Sequence, residues 1–174
     1  LIEKPGGLNE GELTRLASES AYRKAEVYVA YNRRFYASVL AAKRWISADG
    51  GVQSIYFDFT EWSERISRSS LPREVLSSWL LANSSHVIDL AFYFGGSPQT
   101  LYPLSAGGLA WHPRASRFSG AGMTQEGVLF SYHANWEAPG SWGLELATAK
   151  RKLILRPLEQ LGIQRQESHQ IEPV

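Results

Sequence analysis

Cysteine is absent from the 174 residues, which excludes disulfides, thiolate metal sites and cysteine nucleophiles at once. The absence fits a reducing compartment, so a cytoplasmic protein is expected. An excess of charge of one sign is missing as well. Eighteen Lys and Arg against 17 Asp and Glu leave a formal charge of +1, which supplies no overall field for nucleic acid or an anionic membrane. No uncharged apolar run approaches the ~18 residues of a membrane span, and no signal-peptide pattern follows Leu1. Neither an internal repeat nor a low-complexity tract occurs. What remains is globular: 44% of residues are hydrophobic and 20% charged. A chain of this length buries roughly 70% of its unfolded surface in one domain without a covalent or metal staple. A soluble protein without nucleic-acid or membrane partners is the expectation.

Leu1-Ile2-Glu3-Lys4-Pro5 reads like the end of a buried strand that lacks its beginning, and Ile171-Glu172-Pro173-Val174 is equally abrupt. The chain is therefore expected to be a piece of something longer. After Gly6-Gly7, Asn9 and Glu12 form a capping-box pattern, and Leu13, Leu16, Ala17 and Ser20 recur on one stripe of a helix ending near Lys24. Val27 to Tyr31 follows as a β-branched and aromatic run, so the opening predicts strand, helix, strand in a right-handed crossover. A second helix carries Val39, Leu40, Lys43 and Ile46 and closes at Gly50-Gly51. From Val52 the period changes to two, with Ile55, Phe57 and Phe59 on one face and Ser54, Tyr56, Asp58 and Thr60 on the other. Val128 to Glu137 repeats that alternation, while Gly143 to Ala149 and Lys152 to Arg156 add two short strands. One strong helix, Ser85 to Phe94, ends at Gly95-Gly96. The segments 63–72 and 107–122 are rich in Ser, Gly and Arg and are expected to be mobile loops.

The most chemically suggestive segment is Asn83-Ser84-Ser85-His86-Val87-Ile88-Asp89. Three cap-forming residues predict that His86 lies in a first helical turn, where free N–H groups disfavour the imidazolium and welcome a developing oxyanion. Asp89 and Tyr93 follow on the same flank, giving an acid/base histidine held by a carboxylate. The plainer alternative is that His86 and Asp89 only stabilise a helix start. Lys4 is the second candidate, because a lysine at the carboxyl end of a parallel strand stands where open α/β sheets bind ligands; a solvated lysine at a strand end is its plain alternative. Asn32, Arg33 and Arg34 beside Phe35 and Tyr36 could grip a phosphate or a base, or serve as surface ion-pair partners. His86, His112 and His133 lack metal-ligand spacing, so no metal is expected. Gly120-Ala121-Gly122 starts like a dinucleotide fingerprint, but position 125 is Gln and no strand is predicted before it. Six tryptophans predict core or interface anchors, with sugar stacking open to one or two.

In this order, Glu3-Lys4-Pro5, a helix, a strand, Tyr31-Asn32-Arg33-Arg34-Phe35, a helix closed by Gly50-Gly51, and Ser85-His86-Val87-Ile88-Asp89 resemble the Gfo/Idh/MocA family of NAD(P)-dependent oxidoreductases. The resemblance spans most of the chain, and its specificity lies in combining E-K-P with a downstream H-x-x-D. It implies an α+β protein in two parts: residues 1–32 as the terminal βαβ piece of a Rossmann domain, and residues 33–174 as an open-faced, largely antiparallel sheet with helices on one face, incomplete at its carboxyl end. That sheet domain would carry substrate residues and a homo-oligomer interface. It further implies that Lys4, with Glu3 and Pro5, lies beside a nicotinamide, that Lys4, His86 and Asp89 serve catalysis, and that Asn32, Arg33 and His86 bind substrate. The cofactor would be NAD or NADP in the full-length parent, and the substrate a sugar, polyol or sugar derivative.

Two departures accompany the likeness. Many family members carry an aspartate four residues before the histidine, where this chain has Ala82, and the neighbouring Asn83 cannot ionise. Asp89 then substitutes in part, or the reaction differs. No G-x-G-x-x-G follows any strand, so the polypeptide alone is expected neither to bind NAD(P) tightly nor to turn over. The competing expectation is a non-catalytic binding or assembly module that dimerises through its open sheet. Nucleic-acid binding through Arg33, Arg34 and Lys150-Arg151-Lys152 fits the near-neutral charge poorly.

Overall fold

In a computed structural model, residues 1–174 are all described, and the amino-terminal crossover forms as one parallel bridge between Ile2 and Val29. Ile2 N–H donates to the Tyr28 carbonyl and Ala30 N–H to the Ile2 carbonyl, each at 2.9 Å. The connecting helix α1 (Glu10–Arg23) starts at Asn9, whose side chain accepts from the Glu12 N–H, and ends on Lys24 in the left-handed conformation. Its apolar stripe is nearly uncovered. No residue of α1 is buried, and Leu13, Leu16, Ala17 and Ala21 line a groove of about 510 Å³ with Val27 and Val29.

A 3-10 turn over Asn32–Phe35 leads into α2 (Ala37–Asp49), closed by Gly50 at φ 88°. Strand β1 (Ser54–Asp58) is followed by the short helices α3 (Ser63–Ser67) and α4 (Arg73–Ser77), a π turn over Leu80–Ser84 and α5 (Ser85–Gly95). Seven strands complete the chain: β2 (Pro98–Ala106), β3 (Arg117–Thr124), β4 (Leu129–Asn135), β5 (Gly143–Ala147), β6 (Arg151–Leu155), β7 (Gly162–Arg165) and β8 (Ile171–Pro173). They form one eight-stranded sheet in the order β2-β3-β4-β1-β5-β6-β7-β8. Only β1 and β4 pair in parallel; the other neighbours are antiparallel. The α+β class and the largely antiparallel sheet agree with the alternation read from the sequence.

One face of this sheet makes the core. Ile55 and Phe57 of β1 sit in register with Phe130 and Tyr132 of β4 and with Leu146 and Leu144 of β5. Val39 and Ala42 of α2 and Val87, Leu90 and Ala91 of α5 close over them. Each fully buried Val, Leu, Ile or Phe among them contributes roughly 1.5–3 kcal/mol. The other face is open, with Tyr102, Leu104 and Leu129 among its exposed residues. Beside the core, Asp49 and Arg151 form a buried pair: the guanidinium donates two bonds to the carboxylate at 2.7 and 2.9 Å, Thr148 Oγ1 adds one at 2.8 Å, and Arg151 stacks over Trp45.

Three expectations are corrected. Segment 63–72 is a loop only from 68 onward: its first half forms α3, with Ile66 buried. Segment 107–122 holds most of β3 together with buried Trp111 and His112, the latter's Nδ1 within 2.6 Å of the Ala115 carbonyl. Gly120 and Gly122 belong to that strand because larger residues do not fit. A Cβ on Gly122 would lie 2.0 Å from the Thr100 carbonyl oxygen, and one on Gly120 would lie 2.4 Å from the Tyr132 hydroxyl. The third correction concerns His86. The Asn83-Ser84-Ser85 run caps no helix: Ser84 has helical backbone angles and no capping bond, while Ser85 Oγ bonds back to the Leu81 carbonyl at 2.7 Å. Helical structure already runs through the π turn, so His86 does not face a set of free N–H groups. Strand β2, which no sequence pattern marked, carries Pro98 and Pro103 and lies at the sheet edge, where proline is tolerated.

Burial acts to raise the Asp49 pKa, but the bonds from Thr148 and Arg151 outweigh it and hold the carboxyl below its ordinary value. The pair then supports the fold above the unfolded carboxyl's pKa, and that support is lost as pH falls through the depressed folded value. Asp49→Ala leaves Arg151 buried without its partner and is expected to lower unfolding free energy by ~3–5 kcal/mol, measured by urea denaturation at neutral pH.

Candidate active site

The amino-terminal crossover meets the sheet half through Lys4. The Lys4–Pro5 peptide is cis, and the lysine side chain reaches the π turn before α5. There Nζ donates to the Ala82 carbonyl at 2.5 Å and lies 3.4 Å from Asn83 Oδ1. A π turn takes carbonyls out of the α-helical register and recurs at functional sites. Here the ammonium supplies a donor to one of them. Burial lowers the Lys4 pKa, the Arg33 charge lowers it further, and Glu61 and Glu3 oppose the change.

His86 follows one turn later and is buried. Its ring meets Tyr31 edge-on at 5.8 Å and Trp142 at 6.2 Å, and its buried Nδ1 has no hydrogen-bond partner. Burial, then the charges of Lys4 and Arg33, lower its pKa to about 4. The imidazole is therefore neutral at physiological pH, the form that accepts a proton. Against it stands an amine whose pKa is also depressed.

Beside this pair opens a cleft of about 620 Å³, lined among others by Arg33, Glu61, Trp62, Trp79, Asn83 and Trp142. Lys4 and His86 are outside its direct lining; Asn83 and Trp142, which contact them, belong to it. Arg33 stacks over Trp142 at 4.8 Å and donates to the Tyr36 hydroxyl at 2.5 Å. Glu61 is buried in the wall, where its carboxylate accepts from Ser84 Oγ at 2.8 Å and from Asn83 Nδ2 at 3.2 Å. Burial raises the Glu61 pKa, and hydrogen bonding from Ser84, Asn83, Trp79 and Trp142 partly offsets that.

The other expected site residues are placed differently. Asp89 is an ion-pair partner: Arg34 Nε donates to Oδ2 at 2.7 Å and Arg34 Nη2 binds Oδ1. Both carboxylate oxygens are thus engaged by a guanidinium that lies 4.9 Å from the centroid of the Tyr93 ring. Asn32 is exposed and outside the cleft lining. Glu3 is exposed and its carbonyl accepts from the Gly6 N–H at 3.2 Å, while Pro5 is half-buried. Arg151 and Lys152 of the basic run pair with Asp49 and Glu145.

No family model and no curated protein matches the chain by sequence. Solved structures do match by shape. A levoglucosan dehydrogenase in complex with NADH and L-sorbose superposes at a TM-score of 0.79 with 19% identity, over 99% of this chain and 52% of its own. The chain has the fold of Gfo/Idh/MocA-type dehydrogenases. UDP-N-acetylglucosamine 3-dehydrogenase GnnA from Acidithiobacillus ferrooxidans matches at 0.73 and 16% identity over all of this chain and 54% of its own. A dehydrogenase from Chromobacterium violaceum matches at 0.76 and 21% over 97% and 49%. The chain therefore spans about half the length of the structures it matches.

Within this Gfo/Idh/MocA-type fold, sequence reading singled out Lys4, His86 and Arg33 but missed Glu61. Glu61 follows the alternating strand and carries no motif; its place between two aromatic residues, Phe59-Thr60-Glu61-Trp62, was the available signal. In an NMR titration of the histidine ring protons, His86 is expected to protonate near pH 4 and Lys4→Gln to raise that midpoint. Because the folded pKa, about 4, is below the ordinary 6.5, the unfolded chain binds this proton first. His86 is accordingly expected to cost stability as pH falls from 6.5 towards 4, and His86→Gln to flatten that part of the profile.

Proposed function

We propose that the chain is the sheet half of an oxidoreductase that moves hydride between NAD(P) and a hydroxyl of a sugar, polyol or sugar derivative. The observation that carries this reading is the approach of Lys4 to the π turn, which joins a depressed-pKa amine and a neutral buried imidazole beside an aromatic-walled cleft. The likeness to dehydrogenases solved with NADH and sugars supports it.

The residues present fit only the nicotinamide end of such a cofactor. The chain holds a single βαβ crossover and no glycine fingerprint for a pyrophosphate, and the uncovered stripe of α1 fits packing against a further layer. Glu3, Lys4 and Pro5 would border the nicotinamide, which supplies hydride acceptance when bound. The chain's own residues do the rest. Lys4 donates a hydrogen bond to the reacting oxygen and stabilises it as charge develops. His86, neutral and desolvated, accepts the hydroxyl proton. Arg34 and Asp89 lock the 3-10 turn onto α5 and so fix Arg33 against Trp142. Trp62, Trp79 and Trp142 offer apolar faces to a sugar ring and exclude water. Residues 1–32 belong in this reading to the nucleotide-binding part and 33–174 to the substrate and assembly part.

A second reading, a non-catalytic module that pairs copies through the open sheet, draws on the exposed Tyr102, Leu104 and Leu129. The two are separated by joining a dinucleotide-binding domain upstream of Leu1 and following absorbance of NADH and NADPH across sugars and inositols. The enzyme reading expects cofactor-dependent turnover, with His86→Ala lowering kcat by roughly 100-fold; silence across the panel with an intact oligomer supports the module.

A further inference from the structure

Arg34 and Arg151 each turn the Nε–Nη2 edge of the guanidinium to a carboxylate. Arg34 Nε donates to Asp89 Oδ2 at 2.7 Å and Nη2 to Oδ1; Arg151 Nε donates to Asp49 Oδ2 at 2.7 Å and Nη2 to Oδ1 at 2.9 Å. Two parallel charge-assisted bonds to one planar group are among the strongest contacts a guanidinium makes. Arg33 is no better hydrated, its side chain being 22% exposed against 39% for Arg34, yet the same edge of Arg33 has no partner in the protein. Its hydrogen bonds all leave from Nη1, to the Tyr36 hydroxyl at 2.5 Å and to the exposed Glu159 at 3.4 Å, while Nε is buried without a partner. A buried donor in that position is costly. The rings of Trp142 and Tyr36, centred 4.8 and 5.4 Å from the guanidinium carbon, hold the group where it is.

Arg33 lines the cleft, and its surroundings suit an anion. On the same lining Ser69 Oγ is a second buried group without a partner, and Arg65 adds an exposed cation. Two acids share the lining, but neither bars the way. Glu61 is turned to the wall, where Ser84 and Asn83 donate to it and its charge is set against that of Lys4; Glu159 meets only Nη1 and is exposed. The contacts also set the reach: Arg33 stacks on Trp142, and Trp142 meets His86, so a sugar ring lying along the indole has one end at Arg33 and the other at the proposed chemistry. Carboxylates fill this edge in Arg34 and Arg151, and one guanidinium balances one negative charge rather than the two of a phosphate. We infer that the cleft takes an acidic sugar, with its carboxylate on the Nε–Nη2 edge of Arg33 and its ring against Trp142, in preference to the neutral sugar. This rests on the proposed sugar-binding role of the cleft.

The test uses the chain itself, labelled with 15N, and follows the Arg33 Nε–H signal together with the indole N–H signals of Trp62, Trp79 and Trp142. Methyl glucuronoside, the corresponding uncharged uronamide, methyl glucoside and glucose 6-phosphate are added in turn. The glucuronoside is expected to shift the Arg33 signal at millimolar concentration and to bind roughly tenfold or more tightly than the uronamide, as a charge-assisted pair does. Arg33→Gln is expected to abolish that ratio, and Arg33→Lys, which keeps the charge without the two-donor edge, to retain only a small part of it. Equal affinity of wild type for glucuronoside and uronamide overturns the carboxylate subsite without any variant, and leaves the sugar cleft standing if either still moves the indoles. A preference that persists in Arg33→Gln overturns the role of Arg33. Glucose 6-phosphate binding more tightly than the glucuronoside overturns the carboxylate in favour of a phosphate. Indole signals unmoved by every sugar overturn both readings.

Discussion

An amine that crosses 78 residues of sequence to a helix carbonyl is the contact on which the site depends. Lys4 belongs to a crossover held by a single bridge pair, and the Ala82 carbonyl to the π turn that introduces α5. The sheet packs its own core without that contact. It is the proposed chemistry that needs it: without Lys4 against the π turn, the depressed amine, the neutral imidazole and the cleft would be three unrelated features. A lysine in that position costs desolvation energy, and the carbonyl it reaches offsets part of the cost.

Charges in this region are balanced through competition rather than by simple pairing. Lys4, Arg33, Glu61 and His86 act on each other through a partly dry volume where water screens little. Arg33 and Lys4 both push the histidine towards neutrality, whereas Glu61 restrains the loss of the Lys4 proton. The second arginine is removed from the contest by Asp89, whose two oxygens take its Nε and Nη2. Adjacent residues of like charge thus have opposite duties, one inside the cleft and one outside. No pattern of spacing distinguishes the two.

Much of the fold was legible because one face of the sheet is oily and the other is not: Ile55, Phe57 and Phe59, and then Phe130, Ala134 and Trp136, alternate as a half-buried sheet requires. Strands that obey other constraints were not legible. β2 is exposed at every position, so no alternation marks it, and β3 uses glycine where Tyr132 and Phe130 lean across it. His86 was found for a reason that proved incorrect. Serines that ordinarily begin a helix sit here inside one, with their hydroxyls turned back to Leu81 and across to Glu61, a choice settled by tertiary partners. Glu61 itself is invisible to local reading, since its partners come from a segment more than 20 residues away.

The sheet's margins constrain how the molecule can meet another. Its outermost strands, β2 at one side and β8 at the other, both contain proline: Pro98 and Pro103 in the first, Pro173 in the second. Each proline withholds an N–H that a further strand would require, so backbone zippering is obstructed at both rims. A neighbour is left to engage side chains on the broad unhelixed surface, and contact there is governed by shape and chemistry, which evolution can tune, rather than by main-chain hydrogen bonding, which any extended peptide could supply.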